Sequence, residues 1–227
     1  MQSIEISSLL NLDRTIAKDV FRGLTYPFEA LPKISGFIKE LIKTLDSNDF
    51  DIYGEYIAAH KTAVIAPSAN ITGPCIIDAG AEVRHSAFIR GNAIVGKKAV
   101  VGNSTELKNV ILFDKVQVPH YNYVGDSILG YRAHMGAGAI TSNVKSDKSL
   151  VTIKINDIII ETGIKKFGAI IGDNVEIGCN SVLNPGTVIG VNSNVYPLSS
   201  VRGYVPKNKI YKSKDDIVTK RGAPIDG

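Results

Sequence analysis

Five side chains between residues 90 and 123 have types and spacings that suit anion binding and proton transfer. Arg90 and Lys108 are cations 18 residues apart. A phosphate or phosphosugar could bind the guanidinium fork of Arg90 and the point charge of Lys108. His120 can act as a general base near neutral pH, and a carboxylate such as Glu106 can orient it. Tyr123 follows three residues later. Solvated surface residues, or a polar ladder at a corner of the fold, would leave the same pattern.

These residues lie in a stretch whose aliphatic residues repeat every six positions. Helices repeat at 3.6 and strands at two, so a period of six indicates short strands joined by tight corners, with each anchor residue pointing inward. Shortened hexads follow Phe113 and Val124, and the series ends at Val201. The longest unbroken run of anchors is Ile65, Ile71, Ile77, Val83, Ile89, Val95, Val101, Leu107 and Phe113.

Three hexads make one coil of 18 residues, and successive coils of a parallel β-helix stack about 4.8 Å apart. The spacing therefore predicts that Arg90 and Lys108 lie one above the other on one face, with no acid between them. Two such cations are costly side by side unless an anion binds there.

The shortened hexad changes which residues stack after it. When it is counted, His120 falls above Asn103, and Tyr123 falls above Glu106. This register predicts that the possible base and the possible anion site lie on neighbouring coils.

Composition argues against several other classes of protein. The net charge of +4 is mild, and the basic residues are scattered, which argues against nucleic-acid binding. Two cysteines, Cys75 and Cys179, supply neither a disulfide framework nor a CxxC zinc pair. The N-terminus lacks the pattern of a signal peptide, and no stretch reaches the ~18 apolar residues of a membrane span. We therefore expect a cytoplasmic protein without a metal site or membrane contact.

The chain divides into three parts. Residues 1–60 carry helical spacing, with Asp13 and Pro32 as start signals, and are predicted to form a helical cap on the first coil. Residues 61–205 are the predicted solenoid. Residues 206–227 are polar and are predicted to be a loosely ordered tail.

One insertion interrupts the solenoid at residues 144–168. The segments VTIKI and IIIET flank Asn156-Asp157, which predicts a β-hairpin projecting from one corner. Insertions in solenoids lie on one face and often border the binding site.

The repeat resembles that of the hexapeptide-repeat transferases, and residues 102–143 make the resemblance more specific. This stretch is similar to the acetyltransferase half of the bifunctional N-acetylglucosamine-1-phosphate uridyltransferases and glucosamine-1-phosphate acetyltransferases. Its H-x-x-Y-x-G-D and G-A-G-x-I-T-x-N elements are far more selective than the hexads. The likeness spans about residues 64–203, and KFGAIIGDNVEIG is similar to archaeal-type members. It implies an all-β solenoid whose coils wind left-handed, an exception to the usual right-handed crossover.

The resemblance also implies roles for the polar residues. His120 matches the base that removes a proton from the sugar amine, Glu106 the acid beside it, and Asn143 an asparagine near the amine. Five further positions match residues that contact the substrate, and of these Arg90 and Lys108 would hold the sugar phosphate. The substrate-binding positions are Arg90, Lys108, Tyr123, His134 and Lys166.

The coenzyme A arm of the family passes along one coil edge, where Ala137, Cys179 and Pro197 lie in this sequence. Three positions depart from the bacterial pattern: His134 replaces asparagine, Cys179 replaces serine, and Pro197 replaces a small residue. Direct attack by an amine needs no covalent intermediate, so Cys179 is not expected to be a nucleophile. A backbone N–H near Cys179 would stabilise the thioester oxyanion.

The main prediction is an acetyl-CoA-dependent N-acetyltransferase of an aminosugar 1-phosphate, assembled as a homotrimer. One alternative is a non-catalytic solenoid that binds a sugar phosphate or nucleotide sugar and partners a separate nucleotidyltransferase. Residues 1–60 are too short to hold that domain themselves. Another is a β-helical carbonic anhydrase with three zinc-binding histidines. His85, His120 and His134 suggest it, but the paired histidines five apart that such a site uses are absent.

Overall fold

Short strands stack into three parallel faces in the computed structural model, which describes residues 4–155 and 157–221. Strands are numbered in chain order, and the first two, β1 (Phe50–Tyr53) and β2 (Ile57–His60), pair antiparallel before the repeats begin. The first face comprises β3 (Val64–Ile65), β6 (Glu82–Val83), β9 (Val100–Asn103), β11 (Gln117–His120), β13 (His134–Met135), β18 (Glu176–Ile177), β21 (Asn194–Val195) and β24 (Lys209–Ser213).

The second and third faces are joined by two long strands that pass round a corner, β10 (Glu106–Leu112) and β12 (Tyr123–Leu129). The second face adds β4 (Asn70–Ile71), β7 (Phe88–Ile89), β14 (Ile140–Thr141), β19 (Val182–Leu183) and β22 (Ser200–Val201). The third face contains β2 together with β5 (Cys75–Ile77), β8 (Ala93–Val95), β17 (Ala169–Ile171), β20 (Thr187–Ile189) and β23 (Tyr204–Val205).

The hexad anchors fill the interior of the coils, as their spacing predicts. Anchors from Ile77 to Val201 are buried, and aliphatic packing inside the coils is the main apolar core. Close contact between coils explains the glycine after many anchors: a Cβ on Gly102 would lie 1.6 Å from the Pro119 carbonyl oxygen. Parallel pairing of neighbouring coils supplies the backbone hydrogen bonds of each strand.

The sequence-based prediction put the first shortened hexad one repeat too late, after Phe113 rather than after Leu107. Leu112 pairs with Val95 and therefore takes the anchor position, while Phe113 lies at the corner beyond it. The ring of Phe113 is buried at 6.0 Å from the ring of Phe21 in the N-terminal segment. The short step thus runs from Leu107 to Leu112, where β10 turns between two faces.

The N-terminal segment runs along the outside of the third face rather than over the first coil. It contains α1 (Ile6–Leu9), α2 (Ile34–Ile42) and three 3₁₀ helices (Leu12–Arg14, Lys18–Phe21 and Pro27–Lys33). The predicted start at Pro32 falls inside the last 3₁₀ helix, and Asp13 falls inside the first.

The prediction that residues 1–60 are helical is wrong for β1 and β2. β1 pairs with β2, and Ile57–Ala59 of β2 pair parallel with β5, so the solenoid begins at Ile57. The reason for the lateral packing lies in the third face. Its strands carry an aliphatic residue pointing outward between two pointing inward, and these outward side chains need a cover. They are Ile76, Ile94, Ile111, Ile128, Ile170 and Val188, all at most 1% exposed.

The insertion forms the predicted hairpin, with β15 (Thr152–Ile155) paired antiparallel to β16 (Ile158–Glu161). Of its predicted turn, Asn156 lies outside the described residues. The hairpin does not project freely, because β15 lies against the later coils: a Cβ on Gly186 would lie 2.7 Å from the Thr152 carbonyl oxygen.

The prediction of a loosely ordered tail is wrong for the segment up to Thr219. β24 pairs with β21 of the last coil, and β25 (Asp216–Thr219) pairs antiparallel to β24. Tyr211 is 5% exposed, so this hairpin covers apolar surface and an edge that would otherwise stay unpaired. Residues 222–227 of the predicted tail lie outside the described residues. Within the described chain, no helix has the length and apolar content to cross a membrane.

Candidate active site

Arg90 and Lys108 lie one above the other on the second face, as the coil register predicts. Ile89 pairs with Leu107, and the Arg90 N–H donates to the Leu107 carbonyl at 2.8 Å. Glu106 pairs directly with Tyr123 on the next coil. These residues of β7, β10 and β12 therefore form one polar surface.

Each of the two cations has a carboxylate partner, so the expectation of no intervening acid is wrong. Arg90 Nη1 donates to Glu106 Oε1 at 2.7 Å, and Lys108 Nζ donates to Asp126 Oδ2 at 3.0 Å. Glu106 is two residues before Lys108 on the same strand and points to the same side. Asp126 reaches Lys108 because it sits at the shortened corner, where its φ is +46°.

Asp126 is the centre of this surface, and no role was assigned to it from the sequence. Asp126 is 4% exposed. Its carboxylate also accepts hydrogen bonds from Asn109 Nδ2 at 2.9 Å and from Asn143 Nδ2. Three donors from the two adjacent coils thus hold one nearly buried carboxylate. Its place as the last residue of the H-x-x-Y-x-G-D element was the available signal.

Tyr123 is half-buried beside this centre. Burial raises the pKa of its phenol above the usual value, and the charges of Asp126 and Glu106 add to the effect. The phenol therefore stays protonated at neutral pH and can donate a hydrogen bond. Gly125 makes room for the ring, because a Cβ there would lie 2.5 Å from the Tyr123 hydroxyl oxygen.

His120 lies at the corner between the first and second faces, in a row that continues through later coils. It pairs with Asn103 as predicted. Backbone hydrogen bonds connect it to the later coils. The His120 carbonyl accepts a hydrogen bond from Gly138 N–H at 3.0 Å. In the same way the Ala137 carbonyl accepts one from Asn180 N–H at 2.8 Å, and the Cys179 carbonyl accepts one from Leu198 N–H at 2.9 Å. The predicted residues His120, Ala137, Cys179 and Pro197 therefore stand in one row, which we call the corner row.

The His120 side chain is exposed at the start of that row, and its backbone is held firmly. The His120 N–H donates to Asn122 Oδ1 at 3.1 Å, and Asn122 is 2% exposed. Asn122 Nδ2 donates in turn to the Gly136 and Ala139 carbonyls at 2.9 and 3.0 Å. Asn122 is a second residue that the sequence reasoning missed, and it fixes the spacing between the His120 coil and the next.

Two predicted substrate residues lie apart from the rest. His134 is on the first face, where its Nδ1 lies 2.7 Å from Glu176 Oε2. Lys166 is exposed after the hairpin and precedes Phe167, whose N–H donates to the Asn143 carbonyl at 2.9 Å. Within one chain, His134 does not meet the Arg90 surface.

The histidines considered for zinc are also separate within the chain. His85 Nδ1 is 2.6 Å from Ser68 Oγ, and His134 is engaged by Glu176. Across the described ranges, no group of three or more His, Cys, Asp or Glu side chains is arranged to hold a metal ion. The combined surface instead offers polar donors, two cations and an exposed imidazole next to a narrow corner, which suits a phosphorylated or hydroxylated substrate.

Comparisons with known proteins agree with this architecture. The family described as the GMPPB C-terminal domain matches residues 71–188, just over half of the chain. The bifunctional protein GlmU of Methanococcus maripaludis is 34% identical over 205 residues, which is 88% of this chain and 49% of that protein. A bifunctional sugar-1-phosphate nucleotidylyltransferase/acetyltransferase of Sulfurisphaera tokodaii is 31% identical over 127 residues, 56% of this chain and 32% of that protein.

A solved structure also aligns with the chain. It is the acetyltransferase domain of PglB from Neisseria gonorrhoeae in complex with acetyl coenzyme A. The alignment has a TM-score of 0.36 and 14% identity, and it covers 87% of this chain and 80% of that chain. The chain spans about a third to half of the length of the curated relatives it matches.

The predicted parallel β-helix with a small N-terminal helical region is confirmed, and so is the resemblance to GlmU-type proteins, while the left-handed winding stays a prediction. The chain belongs to the family of the GMPPB C-terminal domain.

Proposed function

We propose that the protein is an acetyl-CoA-dependent N-acetyltransferase of an aminosugar 1-phosphate. The observation that carries the proposal is the position of His120, which begins the corner row and lies three residues before Tyr123 of the polar surface. The relatives of this chain include a protein named for both sugar-1-phosphate nucleotidylyl transfer and acetyl transfer. The H-x-x-Y-x-G-D element joins the base to that surface in one segment of sequence.

The reaction would be a direct transfer. The amine nitrogen of the sugar attacks the thioester carbonyl carbon of acetyl-CoA while the His120 imidazole accepts the amine proton. The C–S bond then breaks, and the departing thiolate takes up a proton, which regenerates the neutral imidazole. Backbone N–H groups near Cys179 would stabilise the oxyanion that forms on the carbonyl oxygen.

The sugar phosphate would bind at Arg90 and Lys108. The Arg90–Glu106 pair is partly exposed, with 45% and 33% of the two side chains accessible, and such a pair is weak in water. A phosphate carries more charge and suits the guanidinium fork, so it would replace Glu106 as the partner of Arg90. Tyr123, Asn143 and Lys166 would contact the sugar and its phosphate.

The coenzyme A arm would follow Ala137, Cys179 and Pro197 along the corner row. In the homotrimer that we propose, His134 of the first face would contribute to a site in a neighbouring subunit. No metal is proposed for acetyl transfer, and the cytoplasmic location stays a prediction.

A thiol-release assay tests the proposal. Purified protein is mixed with acetyl-CoA and glucosamine 1-phosphate, galactosamine 1-phosphate or related amines, and free coenzyme A is measured. His120→Ala should lower the rate by about 10²–10⁴-fold, the usual contribution of a general base. His85→Ala is the matched control, because His85 lies at the same corner two coils before the start of the corner row and should be dispensable.

Two outcomes would reject the enzyme. No thiol release with any acceptor would exclude this activity, and full activity in His120→Ala would exclude its mechanism. If sugar phosphates raise the melting temperature and coenzyme A does not, the non-catalytic binding solenoid is the better description.

A further inference from the structure

A cleft of about 250 Å³ lies where the N-terminal segment meets the corner between the third and first faces, on the side of the solenoid away from the corner row. Lys97 and His60 contribute to its wall. Carboxylates predominate there, and the four that line it are Asp13, Asp49, Asp78 and Asp114. None of these residues takes part in the proposed acetyl transfer.

Asp78 has an unsatisfied oxygen. The residue is 1% exposed, and its Oδ1 accepts the Ala79 N–H at 2.7 Å. Its Oδ2 is buried and has no hydrogen-bond partner among the described residues. A buried carboxylate with a bare oxygen is costly, so the site calls for a proton or a cation.

Asp114 brings a second carboxylate close to the first. Leu112 pairs with Val95, and Val95 pairs with Ile77, so Asp78 and Asp114 start nearly two coils apart. Asp114 turns back towards the lower coil, where its Oδ1 accepts the Lys97 N–H at 3.0 Å. Asp78 and Asp114 both line the cleft, so this bend brings the second carboxylate towards the first.

The absence of a side chain at Gly96 allows the coils to approach closely. Gly96 lies on the intermediate coil at the level of Asp78, and a Cβ there would lie 2.7 Å from the Asp114 backbone nitrogen. The Asp114 backbone therefore packs directly on this coil. Two carboxylates that line one cleft are stabilised by a positive ion placed beside them.

Two cations lie near the pair, since the charges of Lys97 and Arg14 both act on the Asp114 carboxylate. Thr62 N–H donates to His60 Nδ1 at 3.1 Å. Asp13 already pairs with Lys18 at 2.5 Å at the exposed mouth. The residues that line the cleft include one cationic side chain, Lys97, and four aspartates.

We propose that Asp78 and Asp114 bind a hydrated divalent cation, of which Mg²⁺ is the best match. Mg²⁺ keeps several water ligands and commonly uses one or two carboxylates. Its waters would reach Asp13 and Asp49, so the ion would fasten the N-terminal segment to the solenoid.

The test is the melting temperature of the full chain with EDTA and then with MgCl₂, at matched ionic strength set by NaCl. At a Mg²⁺ concentration about fivefold above the Kd, the wild type should melt about 2–4 °C higher. Asp78→Asn removes the charge at the same size and should abolish this rise. Asp173→Asn is the matched control, because Asp173 is a half-buried acid on a later coil whose oxygens already accept Asn11 N–H and Tyr131 N–H at 2.9 and 2.7 Å. It should keep the rise.

A wild type whose melting temperature ignores Mg²⁺ would overturn the proposal and leave Asp78 as a protonated acid. A rise that persists in Asp78→Asn would overturn it as well. If Asp78→Asn does not fold, Mn²⁺ binding followed by electron paramagnetic resonance in the wild type and in Asp114→Asn decides the matter. Loss of tight Mn²⁺ binding in Asp114→Asn supports the site, and unchanged binding rejects it.

Discussion

The second and third faces of the solenoid share the same kind of buried anchor and differ in what their strands turn outward. On the third face the outward residues are aliphatic, and Ile94 and Ile111 are fully buried beneath the N-terminal segment. On the second face the corresponding positions carry Phe88, Glu106 and Tyr123, and none of these is buried. The same repeat therefore makes one face structural and leaves the other available for ligands.

The two faces are connected at the shortened corner. Asn109 Nδ2 donates to the Leu31 carbonyl of the N-terminal segment at 3.3 Å and also to Asp126 at 2.9 Å. The segment that covers the third face thus touches the polar centre of the second. A five-residue step in both β10 and β12 brings Asn109 and Asp126 into register, so the irregularity in the repeat builds the polar centre.

Truncating the third face should give the largest loss of stability. Ile94→Ala removes a fully buried side chain and should cost about 2–5 kcal/mol, because the cavity cannot collapse against the flanking coils. Urea unfolding followed by circular dichroism measures the change. Phe88→Ala, at a 41% exposed position of the second face, should cost less than about 1 kcal/mol. Equal costs would show that the two faces do not differ in this way.

Asp126→Asn should have an intermediate effect. Lys108 and Asn143 donate to one carboxylate oxygen of Asp126, and Asn109 donates to the other. The asparagine amide would replace one of these acceptors with an NH₂ group, which faces a donor and cannot accept its hydrogen bond. Loss of at least one buried hydrogen bond should cost about 1–3 kcal/mol. Asp19→Asn, in an exposed pair with Arg22, is the control and should change stability by less than about 0.5 kcal/mol.

Enzyme kinetics test the same Asp126→Asn variant. If the enzyme proposal holds, Asp126→Asn should raise KM for the sugar phosphate, because Lys108 loses its partner, and leave KM for acetyl-CoA unchanged. A parallel rise in both constants would indicate general loosening of the coil. Unchanged stability and unchanged KM would remove Asp126 from the centre of the site.

The sequence predicted the coil register well because a rigid period leaves little freedom. Asn103 under His120 and Glu106 under Tyr123 both follow from counting, once one shortened step is allowed. The exact place of that step was misjudged, since Phe113 is as apolar as an anchor and nothing local shows that it points at Phe21. Apolar character alone does not distinguish the interior of a coil from a surface covered by another segment.

The carboxylate partners were missed for a related reason. Counting coils places Cα atoms one above another, whereas the reach of Asp126 depends on a corner with a φ of +46°. The lateral position of the N-terminal segment had a readable signal, because every third hexad carries an aliphatic residue at its outward position. That three-hexad pattern distinguishes a covered face from an open one, and it was present at Ile76, Ile94 and Ile111.

The two cysteines offer the mildest probe of the comparison, since modifying the exposed one should leave the fold intact. Cys75 is fully buried on the inner side of the third face, and burial raises the pKa of its thiol to about 12. Cys179 is exposed in the corner row. The thiolate is the reactive form, so a thiol reagent at pH 7–9 should modify one cysteine in the native protein and two in denaturant. Cys75 should stay unmodified in the native protein throughout this pH range, because its thiol remains protonated.

Coenzyme A should slow the modification of Cys179 if its arm follows the corner row as proposed. Cys179→Ser is the control variant and should show no labelling until the protein is unfolded. Rapid labelling of Cys75 in the native state would mean that the third face opens, because its thiol has no other route to the reagent. Labelling of Cys179 at an unchanged rate under saturating coenzyme A would instead place the arm elsewhere, and the corner row would then be a structural feature of the stacked coils alone.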